Sequence, residues 1–110
     1  MTVTHLRELR DQLKAVNPEM RVATPFKGGN YQAGLIAFQP RAALDDKFIT
    51  HAASDVIAHV LEGRGRLRLS ETEFALEPGS VCRIPANTAH DFVAEGDAPM
   101  VLFYAVIERG

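Results

Sequence analysis

The sequence predicts an all-β domain of the barrel or sandwich type, preceded by one short α-helix. Three observations carry this. Apolar residues recur at helical spacing only near the N-terminus. Beyond Pro18 they come in short runs separated by Gly, Pro and Asn. No helical segment lies between those runs, which sets aside an alternating βαβ fold.

The elements follow in chain order. Thr4 is placed to cap a helix from about His5 to Val16, with Leu6, Leu9, Leu13 and Val16 as its apolar stripe. Asn17-Pro18 ends it, because a residue before proline is pushed out of the helical region. The expected organisation is therefore a helical segment over 1–18 and a single β domain over 19–110. Strands are expected at Gln32–Gln39, Val56–Leu61, Arg64–Ser70, Glu73–Leu76, Val81–Ile84, Asp91–Ala94 and Met100–Ile107. The Gly28-Gly29-Asn30 and Pro78-Gly79 turns punctuate them. Val56–Leu61 is apolar on both alternating faces, and so is the last strand. Such strands are covered on both sides. One side is the domain interior, and the other meets the N-terminal helix or a second copy, so a homodimer is expected.

The 110 residues, 46% hydrophobic and 24% charged, suffice for one core. A net charge of -2 carries no basic nucleic-acid footprint. Arg64, Arg66 and Arg68 cluster, but their alternate positions read as one solvated strand face. The single cysteine, Cys82, forms no intrachain disulfide and lacks the partners of a zinc site, which fits a reducing cytoplasm. It reads as a buried, inert thiol in an apolar strand. No apolar run reaches the ~18 residues of a membrane span. The polar first residues are unlike a signal peptide. Neither a membrane nor a nucleic acid is an expected partner, and the expected location is the cytoplasm.

Two stretches carry a family resemblance. His59-Val60-Leu61-Glu62-Gly63-Arg64-Gly65 resembles the "VLEG-G" hairpin of cupins. Pro78-Gly79-Ser80-Val81-Cys82-Arg83-Ile84-Pro85-Ala86-Asn87-Thr88-Ala89-His90 resembles the second cupin motif, with Gly79, Pro85 and His90 in register. Asn87 stands in place of a motif glycine, and both residues tolerate a left-handed backbone. Ala94 stands where the motif has Asn. The resemblance runs from about Gln32 to Ile107. It implies a double-stranded β-helix, the cupin jelly-roll barrel, with a short N-terminal α-helix.

The resemblance also implies a site. Counting back from Gly63, the first motif places His51 at one histidine ligand position, Ile49 at the other, and Val56 at the glutamate. His51 and His90 thus match two of the family's four metal-ligand positions. Asp55, one residue before the glutamate position, is the candidate third ligand if a bulge turns it inward. Strand alternation instead points it out of the barrel. Two histidines with one carboxylate is the arrangement of non-haem iron oxygenases. His59 shares the parity of Ile57 and Leu61, which assigns it to the outer face, with Asp55 as its candidate partner. His5 falls on the first turn of the helix. Phe38, Gln39, Lys47, Phe92 and Tyr104 are the side chains expected near the mouth, their directions left open.

Three functions are compatible with these residues. The first is a metal-dependent cupin enzyme of dioxygenase, isomerase or lyase type acting on a small organic molecule, with a divalent ion (Fe, Mn, Ni or Zn) on His51, His90 and Asp55. The retention of two ligand positions leans towards it. The second is a metal-free cupin that binds a small molecule as sensor or store, which the aliphatic Ile49 and Val56 favour. The third resembles the sugar-epimerase branch of the cupins, with a histidine as general base, but the chain is short and lacks a basic groove for a nucleotide diphosphate.

Overall fold

The computed structural model describes residues 1–109. The N-terminal helix is shorter than the spacing predicts: α1 spans Leu6–Asp11. His5, not Thr4, is its cap, with Nδ1 accepting from the Arg7 N–H at 3.0 Å. The Thr4 hydroxyl instead donates to the Glu8 carboxylate. Residues 1–18 are thus not one helical unit. The chain turns extended at β1 (Lys14–Asn17), whose Lys14 and Ala15 pair with Val22 and Arg21 of β2 (Met20–Lys27). Leu9 and Leu13 keep the role their spacing implies. They pack on Leu35, Ala37, Leu61 and Val101 of the sheet's outer face.

Antiparallel strands make up the rest: β3 (Tyr31–Phe38), β4 (Ser54–Glu62), β5 (Arg64–Arg68), β6 (Glu73–Leu76), β7 (Val81–Ile84), β8 (Asp91–Glu95) and β9 (Met100–Glu108). They form a six-stranded sheet in the order β1-β2-β3-β9-β4-β7 and a three-stranded sheet in the order β6-β5-β8. This is the all-β jelly roll with one short helix that the sequence predicts. The sequence does not single out β2, because Thr24 and Pro25 interrupt its apolar pattern after Val22.

Alternation decides what lies inside. On β4, Val56, Ala58 and Val60 point in and are buried, while Ile57 and His59 are exposed. The core joins them to Leu67, Leu76, Ile84 and Leu102 between the two sheets. The apolar outer side of β4 is covered in part: α1 packs against Leu61, while Ile57 and the neighbouring Val81 remain 42% and 69% exposed. The β4–β5 corner shows why its motif carries glycine. Gly63 has φ 73°, and a Cβ there would collide with the Pro99 carbonyl.

Residues 39–53 connect β3 to β4 as a strap across one end of the barrel. Ile49 and His90 exchange two backbone hydrogen bonds of 2.9 Å, and Asn87 N–H donates to the His51 carbonyl. Asn87 has φ 66°, the left-handed turn anticipated for it. The strap is therefore stitched to the turn that presents His90.

Candidate functional site

Under the strap lies a cavity of about 400 Å³. Its walls are mainly Val22, Ile36, Phe38, Val56, Leu102 and Val106, from β2, β3, β4 and β9. Polar groups reach it from Thr24, Gln32, His51, His90 and Tyr104.

The fold brings His51 and His90 together. Their rings stack with centroids 5.5 Å apart and planes 24° from parallel. His51 rides on the strap, and His90 sits just before β8, 4% exposed. His90 Nδ1 lies 2.9 Å from the Thr88 carbonyl oxygen. A carbonyl only accepts, so Nδ1 carries a proton, and in the neutral ring Nε2 carries the lone pair. Burial, helped by the nearby His90, pushes the His51 imidazole below its ordinary value. The shift favours the uncharged ring.

Two further rings continue the series. Phe92 meets His90 edge-on at 6.0 Å and stacks on Phe38 at 5.3 Å. On the far side the hydroxyls of Thr24 and Tyr104 bond each other at 2.6 Å. Of the side chains expected near the mouth, Phe38, Phe92 and Tyr104 line the cavity, whereas Gln39 and Lys47 line an adjoining recess.

Asp55 is not brought to the histidine pair. One carboxylate oxygen accepts from the Ala86 N–H at 2.8 Å and from Arg109 Nε at 2.9 Å, and Arg83 stands 3.7 Å from the other. The Ala86 N–H and the Arg109 guanidinium hold its carboxyl below the usual carboxylate range. Nor does His59, exposed on the outer face, have Asp55 as a partner. Cys82 is half-buried, not buried as its strand suggested, and desolvation pushes its thiol up.

The donor set therefore falls short of a metal centre. Among the described residues no group of three or more His, Cys, Asp or Glu is placed to hold an ion. Val56 occupies the expected glutamate position as a cavity wall. Two imidazoles alone hold a divalent ion weakly, since catalytic centres generally use three protein ligands.

A second cluster has no counterpart in the sequence reading. Asp91, next to His90, is 8% exposed, and its Oδ2 accepts from Arg41 at 2.7 Å and Arg68 at 2.9 Å. Arg68 also donates to the Asp45 carbonyl, and its guanidinium lies 5.0 Å from the Phe48 ring centre. Arg68 is thus no part of a solvated face; its side chain is 13% exposed. The cluster fastens the start of the strap to β5 and β8. Strand parity alone could not reveal it, because the covering group comes from a distant connection.

No helix among the described residues is long and apolar enough to cross a membrane. None of the curated proteins matches the chain. Several solved structures do. TT1209 from Thermus thermophilus superposes with a TM-score of 0.78 at 28% identity, covering 100% of both chains. KdgF from Halomonas sp. gives 0.72 at 22%, covering 88% of each. Ectoine synthase from P. lautus gives 0.76 at 14%, covering 98% of this chain and 78% of its own. The last two likenesses show the fold alone. The cupin domain model matches residues 34–107, well over half of the sequence, and the chain belongs to the cupin family.

Proposed function

We propose that this cupin binds a small, weakly polar organic molecule inside the barrel, with His51 and His90 as the polar contacts and no metal centre required. The observation that carries this is the cavity itself: about 400 Å³, mostly apolar, with two stacked imidazoles on one wall. A few polar groups in an apolar concavity are the usual make-up of a small-molecule site.

A second reading keeps a metal on the two histidines. It is favoured by the Thr88 carbonyl on His90 Nδ1, since metal-bound imidazoles commonly donate their other N–H to such a partner. One experiment separates the two. Metal content is measured by plasma mass spectrometry beside a benzene titration followed by NMR, for wild type, His51→Ala and His90→Ala. Cavity methyl shifts with benzene in protein holding well under one equivalent of metal support the first reading. Near-stoichiometric iron, manganese, nickel or zinc, lost in both variants, overturns it in favour of the second.

The proposal extends to assembly and place. A homodimer covering Ile57 and Val81, in a cytoplasmic protein, is the expected state. A monomeric mass in light scattering at micromolar concentration counts against it.

A further inference from the structure

We infer that the barrel takes a neutral, flat aryl compound bearing a hydroxyl group, and that this hydroxyl donates to His90 Nε2. This rests on the small-molecule reading above and names the chemistry of the ligand.

The shape comes from the rings. Phe38, Phe92, His90 and His51 form an unbroken series, with successive centroids 5.3, 6.0 and 5.5 Å apart. They line the same cavity, whose remaining wall is largely aliphatic. Aromatic rings gain from offset and edge contacts with one another beyond the area they bury. A flat aryl ring slotted between the two walls extends the series. A saturated ring of equal volume obtains only the area.

The charge state comes from what the cavity lacks. Among the described residues the only acidic or basic side chain on its wall, the histidines aside, is Asp91. That carboxylate is taken up by Arg41 and Arg68. A ligand anion or cation would be buried without a counter-charge, which is expensive. His51 does not supply one readily, because protonating it places a charge beside the stacked His90 ring in a largely apolar cavity.

The hydroxyl comes from hydrogen-bond accounting. Thr24 and Tyr104 share one hydrogen bond, which leaves the pair a single undonated hydroxyl proton. His90 Nδ1–H is committed to Thr88. His90 Nε2 is an acceptor with no hydrogen-bond partner among the described residues. An O–H donor on the ligand completes it.

The test uses four probes of one skeleton: 2-naphthol, 2-methoxynaphthalene, 2-decalol and 2-naphthoate. Binding is followed by the methyl resonances of Val22, Val56, Leu102 and Val106 in the intact 110-residue chain. We expect 2-naphthol to bind tightest, with the methyl ether about tenfold weaker for the lost hydrogen bond. In His90→Phe, which keeps a ring, the naphthol and ether affinities converge. The wild-type series stands even if that variant fails to fold. Equal wild-type affinity for 2-naphthol and its ether overturns the hydrogen bond to His90. Decalol or naphthoate binding as tightly as 2-naphthol overturns the ligand class while leaving the cavity a binding site. No methyl shift with any probe overturns both this inference and the reading beneath it.

Discussion

Two acid–arginine clusters fasten the two ends of the strap that carries His51, and they differ in one respect. At the start, the Asp91 side chain sits between Arg41 and Arg68 with exposures of 10%, 8% and 13%. At the end, Asp55 sits between Arg83 and Arg109 with exposures of 22%, 60% and 55%. Each places a carboxylate between two guanidiniums. Only the first is withdrawn from water. Exposed ion pairs contribute little and are screened by salt, whereas removing one partner of a buried set strands charge in a poor solvent. The strap thus has a fixed end and a tunable end.

The comparison breaks most visibly at Asp91. Asp91→Ala leaves two buried guanidiniums with only the solvent-exposed Asp46 carboxylate, 4.0 Å from Arg68, as an anion, and urea unfolding should show a loss of about 3 kcal/mol. Hydrogen exchange across residues 41–49 should rise with it. If the cost is unpaired charge rather than lost contact, an apolar replacement repairs it. The triple variant Arg41→Met, Arg68→Met, Asp91→Leu should then return to within about 1 kcal/mol of wild type. A triple variant no more stable than Asp91→Ala would show that the geometry of the cluster, not its charge, holds the strap.

Smaller effects are expected at the other end. Asp55→Asn should lower the thermal midpoint at neutral pH by less than Asp91→Ala does. The folded carboxyl titrates below its unfolded value, so its contribution is complete above the ordinary carboxylate range. It is lost as pH falls through the folded value. The gap between Asp55→Asn and wild type should be level down to about pH 5 and close in stronger acid. The smallest effect is that of salt. Raising sodium chloride to about 1 M, where the screening length is about 3 Å, should shrink the Asp55→Asn gap and leave that of Asp91→Ala nearly unchanged.

How much of this the sequence discloses follows from the range of each interaction. The Gly63 corner, the Asn87 turn and the alternation of Val56, Ala58 and Val60 are local, and local residue chemistry names them. The helix end is misplaced because Leu13 and Val16 satisfy helical spacing, yet pairing with β2 draws the chain into a strand. β2 escapes because Pro25 falls at the register break between Ala23 and Phe26, where no regular ladder or run of apolar residues marks it. The family register puts His51 and His90 in one frame, and the fold sets them ring to ring. Their surroundings are illegible. Asp55 is bound by Arg109, 54 positions away, and Asp91 by Arg41, 50 positions away, and no periodicity reports contacts at that distance.

The place of β9 in the sheet bears on how the molecule comes to exist. β9 lies inside the six-stranded sheet, between β3 and β4, so Leu35 waits for Phe103 and Val60 for Leu102. Neither earlier strand can complete its ladder until a partner many residues downstream has been synthesised. Such high contact order slows folding, towards the millisecond-to-second range of β barrels. In the interval β3 and β4 expose unpaired edges, and the nascent chain is then most open to association with other chains. Because Leu102, Tyr104 and Val106 also line the cavity, a compound that fits it can act only after this step, by slowing unfolding and not by speeding collapse.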